Sequence, residues 1–267
     1  MKPRRLAADG PSESGIQFPG LPYVGPETRH TFRTGASRVT EVAVRRGLLR
    51  HPTWIDRIAL DPGFANNQWI WLYYSPTNAA ENRLSRFTLR GEHLDRESEK
   101  IVLRVATQRD ICCHAAGSLA FDGQGNLFLS TGDNTNPFES EGFAPIDDRP
   151  GRYPWDASKS SANTADLRGK ILRIHPEPDG SYTIPAGNLF PPGTPKTRPE
   201  IFVMGCRNPF RISVDRTTQT LYWGEVGPDA QALLADRGPA GFDEVNRTKV
   251  AGNFGWPFFV TLVRFTS

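Results

Sequence analysis

The chain has 267 residues, of which 37% are hydrophobic, and this is enough to bury a sizeable core as one large β domain or two smaller ones. Its net charge is only +3, with basic residues scattered among acidic ones, which argues against a nucleic-acid-binding stripe. No apolar run approaches the roughly 20 residues of a membrane-spanning helix. Helical periodicity is nearly absent, and this absence favours an all-β protein.

The first part of the chain differs from the rest. Residues 1–40 are rich in Pro, Gly, Ser and Arg without a clear period, so we leave them unassigned and expect poor order there. Residues 1–9 carry charge but no apolar core, and we see no secretory signal peptide in them. We predict a β domain over residues 41–260, followed by a tail at 261–267.

An internal repeat organises the β domain. Each copy reads as an apolar-x-apolar-Asp strand, a turn and an aromatic-rich or apolar strand, with a further strand downstream. The copies cover residues 58–61 with 69–74, 119–122 with 127–129, and 212–215 with 221–223. Repeated units of several short strands predict the blades of a β-propeller, and about 4–8 blades are needed to close the ring. Because three units are visible, either neighbouring strands are cryptic or the ring is incomplete.

The second copy carries the first candidate site. His114 precedes one strand of the predicted hairpin, and Asp133 follows the other strand in the segment Thr131-Gly132-Asp133. A hairpin returns the chain to its start, so we expect the two side chains to lie close together. A carboxylate beside an imidazole fixes its tautomer and raises its basicity. The alternative is a structural histidine and an aspartate that forms a turn.

The cysteines offer a second set of alternatives. Three cysteines, two of them adjacent, do not make a disulfide framework. Cys112 and Cys113 could form a vicinal disulfide, but we expect two free buried thiols.

Three other stretches carry polar groups. The long loop 134–166 holds Asp147, Asp148, Asp156 and Asp166, which could bind a cation, although a solvated loop is the default expectation. Arg207 and Asn208 offer a guanidinium and an amide suited to oxyanions or quinone oxygens, or else a salt bridge at a strand start. Gly227 and Pro228 form either a carbonyl-lined site for a hard cation or a plain turn.

Taken in order, these motifs resemble the glucose/sorbosone dehydrogenases, soluble sugar dehydrogenases that use pyrroloquinoline quinone (PQQ). The resemblance covers residues 47 to 258 and is strongest from His114 onward. The matching motifs are Gly47-Leu48-Leu49, Ile58 to Phe64, His114-x-x-Gly117-x-Leu119 through Asp133, Leu167 to Ile174, Gly205-x-Arg207-Asn208-Pro209, Gly224 to Pro228, and Asp243 to Asn246 with Gly252 to Pro257. The resemblance implies a six-bladed β-propeller with its cofactor on the top face.

The resemblance also implies roles. His114 would be the catalytic base that takes the proton from the sugar's anomeric hydroxyl while hydride passes to the quinone, and Asp133 would orient it. Arg207 and Asn208 would contact the quinone oxygens. The backbone carbonyls of Gly227 and Pro228 would hold a calcium ion against PQQ. The expected function is therefore PQQ- and calcium-dependent oxidation of an aldose, with an external electron acceptor and no nucleic-acid partner.

Several departures from the family pattern favour an alternative. Cys206 stands where many relatives carry histidine, residues 50–57 interrupt a usually tight passage, and the chain ends soon after Trp256-Pro257. We therefore expect a truncated, incomplete ring. The alternative function is a non-catalytic propeller relative that binds a carbohydrate or a protein. The resemblance implies a periplasmic or extracellular location, and the sequence leaves the oligomeric state open.

Overall fold

The computed structural model describes the backbone of residues 27–34, 38–45, 54–115, 117–234 and 238–260, and side chains within 57–115, 117–228 and 240–260. Contacts divide the chain into two units, residues 1–46 and 47–267. In the first unit, β1 (Glu27–Thr34) and β2 (Arg38–Arg45) form an antiparallel hairpin. Most of residues 1–40 and the tail 261–267 lie outside the described residues, so the domain boundaries at 40 and 260 stay predictions.

The second unit begins with a four-stranded antiparallel sheet in which each strand pairs with the next along the chain. A four-residue helix, α1 (Phe64–Asn67), lies between its first two strands. The strands are β3 (Trp54–Leu60), β4 (Trp69–Ser75), β5 (Glu81–Arg90) and β6 (His93–Ala106). The interior of β4 is buried on both faces, which explains its continuous run of apolar and aromatic residues.

The second sheet contains the hairpin predicted around the first candidate site. Its strand order is β17-β11-β9-β8-β7, with β10 paired to the side of β9. The strands are β7 (Ser118–Phe121), β8 (Leu127–Thr131), β9 (Lys170–Pro176), β10 (Tyr182–Thr183), β11 (Ile201–Met204) and β17 (Gly252–Asn253). The pair β11–β17 is parallel, and it adds the last described segment to one edge of the second sheet.

The third sheet has the order β12-β13-β16, and β14 and β15 form a separate two-stranded ribbon. The strands are β12 (Pro209–Asp215), β13 (Thr220–Glu225), β14 (Asp229–Leu234), β15 (Gly238–Ala240) and β16 (Glu244–Thr248). In the described part of the chain, β16 is the outer strand of this sheet.

The repeated aspartate of the sequence pattern has a local structural role. Asp215 is the last residue of β12, Asp61 and Asp122 directly follow β3 and β7, and all three accept hydrogen bonds from backbone N–H groups of the following turn. Such Asx turns satisfy backbone donors that the strand has left unpaired. Each copy of the sequence repeat therefore corresponds to one strand-turn-strand unit, and each of the three sheets contains one such unit.

The three sheets pack on one another as successive propeller blades. One buried cluster joins Trp71 and Leu84 of the first sheet to Leu129 and Leu172 of the second. Another joins the second and third sheets, with Trp223 at its centre. Because both faces of the second sheet are covered, every residue of β8 is buried.

The first strands of the three sheets, β3, β7 and β12, lie next to one another. They line a cavity of about 320 Å³ that includes Leu60, Phe121 and Val214 but none of the candidate site residues. The arrangement confirms the all-β class, and the described sheets form an incomplete propeller rather than a closed ring. No helix in the described part of the chain is long and apolar enough to cross a membrane.

Candidate active site

The predicted pairing of His114 with Asp133 is present. The Nδ1 atom of His114 lies 2.8 Å from Oδ1 of Asp133, whose side chain is fully buried while that of His114 is 11% exposed. Within the described residues the other ring nitrogen, Nε2, makes no hydrogen bond. With Nδ1–H directed at the carboxylate, Nε2 is the ring atom left to accept a proton.

Close backbone packing holds the histidine in place. The N–H of Asn134 donates to the carbonyl of His114 at 3.0 Å, and that of Gly132 donates to the carbonyl of Ala115 at 3.3 Å. A Cβ atom on Gly132 would lie 2.3 Å from the carbonyl oxygen of His114 and 3.0 Å from Oδ1 of Asn208. Glycine at 132 therefore permits the approach that brings these residues together.

Trp256 is a residue of this site to which the sequence analysis gave no role. Its Nε1–H donates to Oδ2 of Asp133 at 2.9 Å, a buried contact between residues 123 positions apart. The backbone N–H of Thr135 donates to Oδ1 of the same carboxylate at 2.9 Å. The carboxylate thus has a partner on each oxygen besides His114, as a buried charge requires.

The segment that carries Trp256 is placed by pairing with β11. The N–H groups of Phe254 and Trp256 donate to the carbonyls of Met204 and Gly205 at 2.9 and 3.1 Å. Gly205 has φ of +73°, and a Cβ there would lie 2.3 Å from Oδ1 of Asn253. A glycine is needed at 205 for both reasons, so this motif glycine serves the assembly of the site.

Arg207 and Asn208 lie beside this carboxylate, and their predicted contact with quinone oxygens stays a prediction. The N–H of Asp133 donates to the carbonyl of Arg207 at 2.8 Å, and the guanidinium of Arg207 lies 5.8 Å from the ring centre of Trp256. Nη1 of Arg207 donates to the carbonyl of Val226 at 3.1 Å, and the residue is 2% exposed. Oδ1 of Asn208 is buried without a hydrogen-bond partner among the described residues.

A second carboxylate, that of the half-buried Glu225, binds the turn formed by Arg207 and Asn208. Its Oε1 accepts the backbone N–H groups of Arg207 and Asn208 at 2.9 and 2.5 Å. Its Oε2 accepts Nε1–H of Trp223 at 3.2 Å. Burial raises the pKa of Glu225 to about 7, although the hydrogen bonds that it accepts oppose that shift.

Cys206 is a free and buried cysteine. Burial and the neighbouring Glu225 raise the pKa of its thiol, so it stays protonated. Its carbonyl accepts the Ser161 hydroxyl at 2.6 Å, and its N–H donates to the carbonyl of Gly169 at 3.1 Å. The residue fastens the turn to the loop that precedes β9.

Lys170, the first residue of β9, binds the loop that precedes this strand. The side chain is fully buried, and its ammonium donates to the carbonyls of Ser160, Ser161 and Arg168 at 2.8 to 2.9 Å. Burial lowers the pKa of Lys170 to about 7, while three carbonyl acceptors favour its charged form.

Gly227 and Pro228 directly follow Val226. The carbonyl of Val226 accepts a hydrogen bond from the Arg207 side chain, so the pair begins one residue after that contact. The N–H of Gly227 donates to Oδ1 of Asp243 at 3.1 Å. Within the described residues neither carbonyl oxygen of the pair accepts a hydrogen bond. No group of three or more His, Cys, Asp or Glu side chains suited to a metal occurs in the described part of the chain. A cation here would depend on backbone oxygens.

The expectation of two free thiols at Cys112 and Cys113 is wrong. The structure joins them in a vicinal disulfide across a cis peptide bond. That expectation assumed burial, but Cys112 is exposed and Cys113 only half-buried in the loop before His114.

Ion pairs fix two of the four carboxylates of the loop 134–166. Asp147 is fully buried and pairs with Arg149 and Arg152 at 2.8 and 2.9 Å. Asp166 pairs with Arg168. The expectation of a solvated loop is therefore wrong for these carboxylates, because arginines of the same region neutralise them.

A model of the glucose/sorbosone dehydrogenase family matches residues 53–266. The chain belongs to this family. It is 30% identical over 204 residues to an uncharacterised protein of Synechocystis, covering 75% of this chain and 42% of that protein. It is 27% identical to the aldose sugar dehydrogenase YliI of Escherichia coli, covering 75% of this chain and 45% of that enzyme. This family member thus spans less than half the length of these relatives.

Solved structures agree with the family assignment. A putative oxidoreductase (glucose dehydrogenase) of Thermus thermophilus superposes with a TM-score of 0.55 at 28% identity, covering 78% of this chain and 51% of that one. The PQQ-bound aldose sugar dehydrogenase of Streptomyces coelicolor superposes with a TM-score of 0.52 at 25% identity, covering 75% of this chain and 47% of that one. The likeness confirms the family and the β-propeller fold that the sequence motifs implied.

Proposed function

We propose that this chain forms part of an oxidoreductase that oxidises an aldose or related sugar by hydride transfer to PQQ, with calcium beside the cofactor and an external electron acceptor. The observation that carries the proposal is the contact of His114 with the buried Asp133, in which Nε2 of His114 makes no hydrogen bond to any residue that the structure describes. The named relatives that bind PQQ or act on aldose sugars support the choice of cofactor and substrate class.

The residues present fit the cofactor. The Oδ1 atom of the half-buried Asn208 has no hydrogen-bond partner within the described residues and would accept a hydrogen bond from a donor group of a ligand, whereas the Nδ2–H₂ group of the same amide is the side that would donate to a quinone oxygen. Arg207 and Asn208 would face the quinone oxygens, and the carbonyls of Gly227 and Pro228, which accept no hydrogen bond from the described residues, are hard oxygen donors of the kind that calcium prefers. When bound, PQQ would supply the quinone that accepts hydride, and calcium would polarise it as a Lewis acid.

His114 would perform the proton transfer. Its Nε2 would take the proton of the sugar's anomeric hydroxyl as the hydride leaves the anomeric carbon. Asp133 would hold the Nδ1–H tautomer and stabilise the imidazolium that forms. The guanidinium of Arg207 would stabilise the negative charge that develops on the acceptor side of the site.

The test is a dye-linked sugar oxidation assay on the purified 267-residue chain supplied with PQQ and calcium, with a chelator control. We expect His114→Ala to lower kcat by about 10²- to 10⁴-fold, the usual contribution of general-base catalysis, while PQQ affinity changes only a few-fold. His175→Ala is the matched control, because its Nδ1 also binds a side-chain oxygen, Oδ1 of Asn126, outside the site.

Turnover by His114→Ala within a few-fold of the parent would refute the role given to His114. PQQ binding by the parent chain without oxidation of any sugar would favour the alternative, a propeller relative that binds a carbohydrate or a protein.

A further inference from the structure

The turn that carries Arg207 and Asn208 lacks the regular pairing of a β ladder. The β12–β13 register shifts between Pro209 and Arg211, just after this turn. At the end of β13, the side chain of Glu225 takes the place of a backbone acceptor. The two consecutive N–H groups of the turn donate to one carboxylate oxygen, Oε1.

We propose that Glu225 is the positioning residue that sets the Arg207–Asn208 turn for the cofactor, an inference that rests on the function proposed above. A single oxygen that accepts from two successive residues fixes the orientation of the peptide plane between them. That plane decides where the Arg207 and Asn208 side chains leave the backbone. Above the pKa of Glu225, which is about 7, the acceptor is charged, and hydrogen bonds to a charged acceptor are about twice as strong as neutral ones, so Glu225 holds the turn most firmly at mildly alkaline pH.

Further contacts make this attachment specific to the turn. Oε2 of Glu225 is held by Trp223 of the buried core, which fixes the rotamer of the carboxylate. The N–H of Val226 donates to the carbonyl of Asn208 at 3.1 Å, and Nη1 of Arg207 donates to the carbonyl of Val226. Val226, the residue after Glu225, thus bonds the same turn to the segment that leads into Gly227 and Pro228. The turn that Glu225 holds is therefore linked to both the proposed quinone contacts and the proposed calcium ligands.

The test compares Glu225→Gln with a matched variant, Glu200→Gln. Glu200 is a buried glutamate, 4% exposed, whose carboxylate likewise accepts hydrogen bonds, but from Arg198 and Tyr182, away from the turn. Glutamine keeps the size of each side chain, so both variants should melt cooperatively. Glu225→Ala serves as a second variant that removes the acceptor altogether.

Two readouts are needed. Amide hydrogen exchange at Arg207 and Asn208 should accelerate at least about 10-fold in Glu225→Gln, and more in Glu225→Ala, with no change in Glu200→Gln. Titration with PQQ in the presence of calcium should show a Kd weaker by at least about 10-fold for Glu225→Gln and a change of less than about 3-fold for Glu200→Gln.

Unchanged exchange at the two amides overturns the proposal, and so does accelerated exchange with parental PQQ affinity. If the parent chain itself does not bind PQQ, the proposed function fails separately. The exchange result then decides by itself whether Glu225 holds the turn.

Discussion

Replacing Trp256 with phenylalanine removes one hydrogen bond from the buried Asp133 carboxylate and keeps an aromatic ring. The lost contact is the 2.9 Å bond from Nε1 to Oδ2, and Trp256 is only 8% exposed, so water cannot easily take its place. A hydrogen bond to a charged group contributes about 1.5–3 kcal/mol, and leaving a buried charged acceptor short of a donor costs at least as much. We therefore expect the free energy of unfolding to fall by about 2–3 kcal/mol.

Trp155→Phe is the matched control. Trp155 is 9% exposed, and its Nε1 donates at 2.6 Å to a neutral acceptor, the carbonyl of Phe138. The expected loss is about 1 kcal/mol, as for an ordinary neutral hydrogen bond. Urea denaturation followed by far-ultraviolet circular dichroism measures both, since tryptophan fluorescence would change with the substitutions themselves. A loss in Trp256→Phe no larger than in the control would refute the assignment of Trp256 as a partner of the buried charge.

Two further substitutions test the packing and the charge pairing. Gly132→Ala places a Cβ 2.3 Å from the carbonyl oxygen of His114, so we expect a loss of about 1–3 kcal/mol in stability and a fall in kcat, measured by thermal melting and the dye-linked assay. Gly224→Ala, where a Cβ meets nothing within 4 Å, is its control, and equal melting temperatures for the two would contradict the prediction. For Asp147, hydrogen bonds from two arginines lower the pKa from 3.8 to about 2, so its ionised form stabilises the fold above about pH 4 and this contribution disappears as the pH falls to about 2. Because both arginines are partly exposed, we expect Asp147→Asn to cost only about 1 kcal/mol at pH 7 and nothing at about pH 2, and a pH-independent difference in urea denaturation would count against the pairing.

The parts of the site that sequence could predict are those that lie close along the chain. His114 and Asp133 flank one hairpin, and a two-strand unit with a turn signal returns its ends to the same place. The repeated Asp at the end of each first strand was equally visible, because an Asx turn depends only on the residues that follow it.

The parts that sequence could not predict depend on distant pairing. The contact of Trp256 with Asp133 requires the parallel β11–β17 pairing, and nothing near Trp256 in the chain signals it. Glu225 was visible as part of a motif, but its grip on Arg207 and Asn208 follows from the β12–β13 register. The disulfide of Cys112 was misjudged because exposure of a loop cysteine is set by tertiary structure.

The tie between Asp133 and Trp256 also bears on the order in which this site is built. The hairpin closes over a few residues and brings His114 to Asp133 at little cost in chain entropy, whereas the tryptophan closes a loop of 123 residues. Contacts of such long range form late in folding, after the local ones. On a ribosome the histidine and its carboxylate would meet soon after residue 133 emerges, but the second carboxylate oxygen would gain its tryptophan partner only after residue 256 emerges. The contact between His114 and Asp133 thus depends mainly on local folding. The hydrogen bond that Trp256 donates to the same carboxylate depends on the folding of the whole unit.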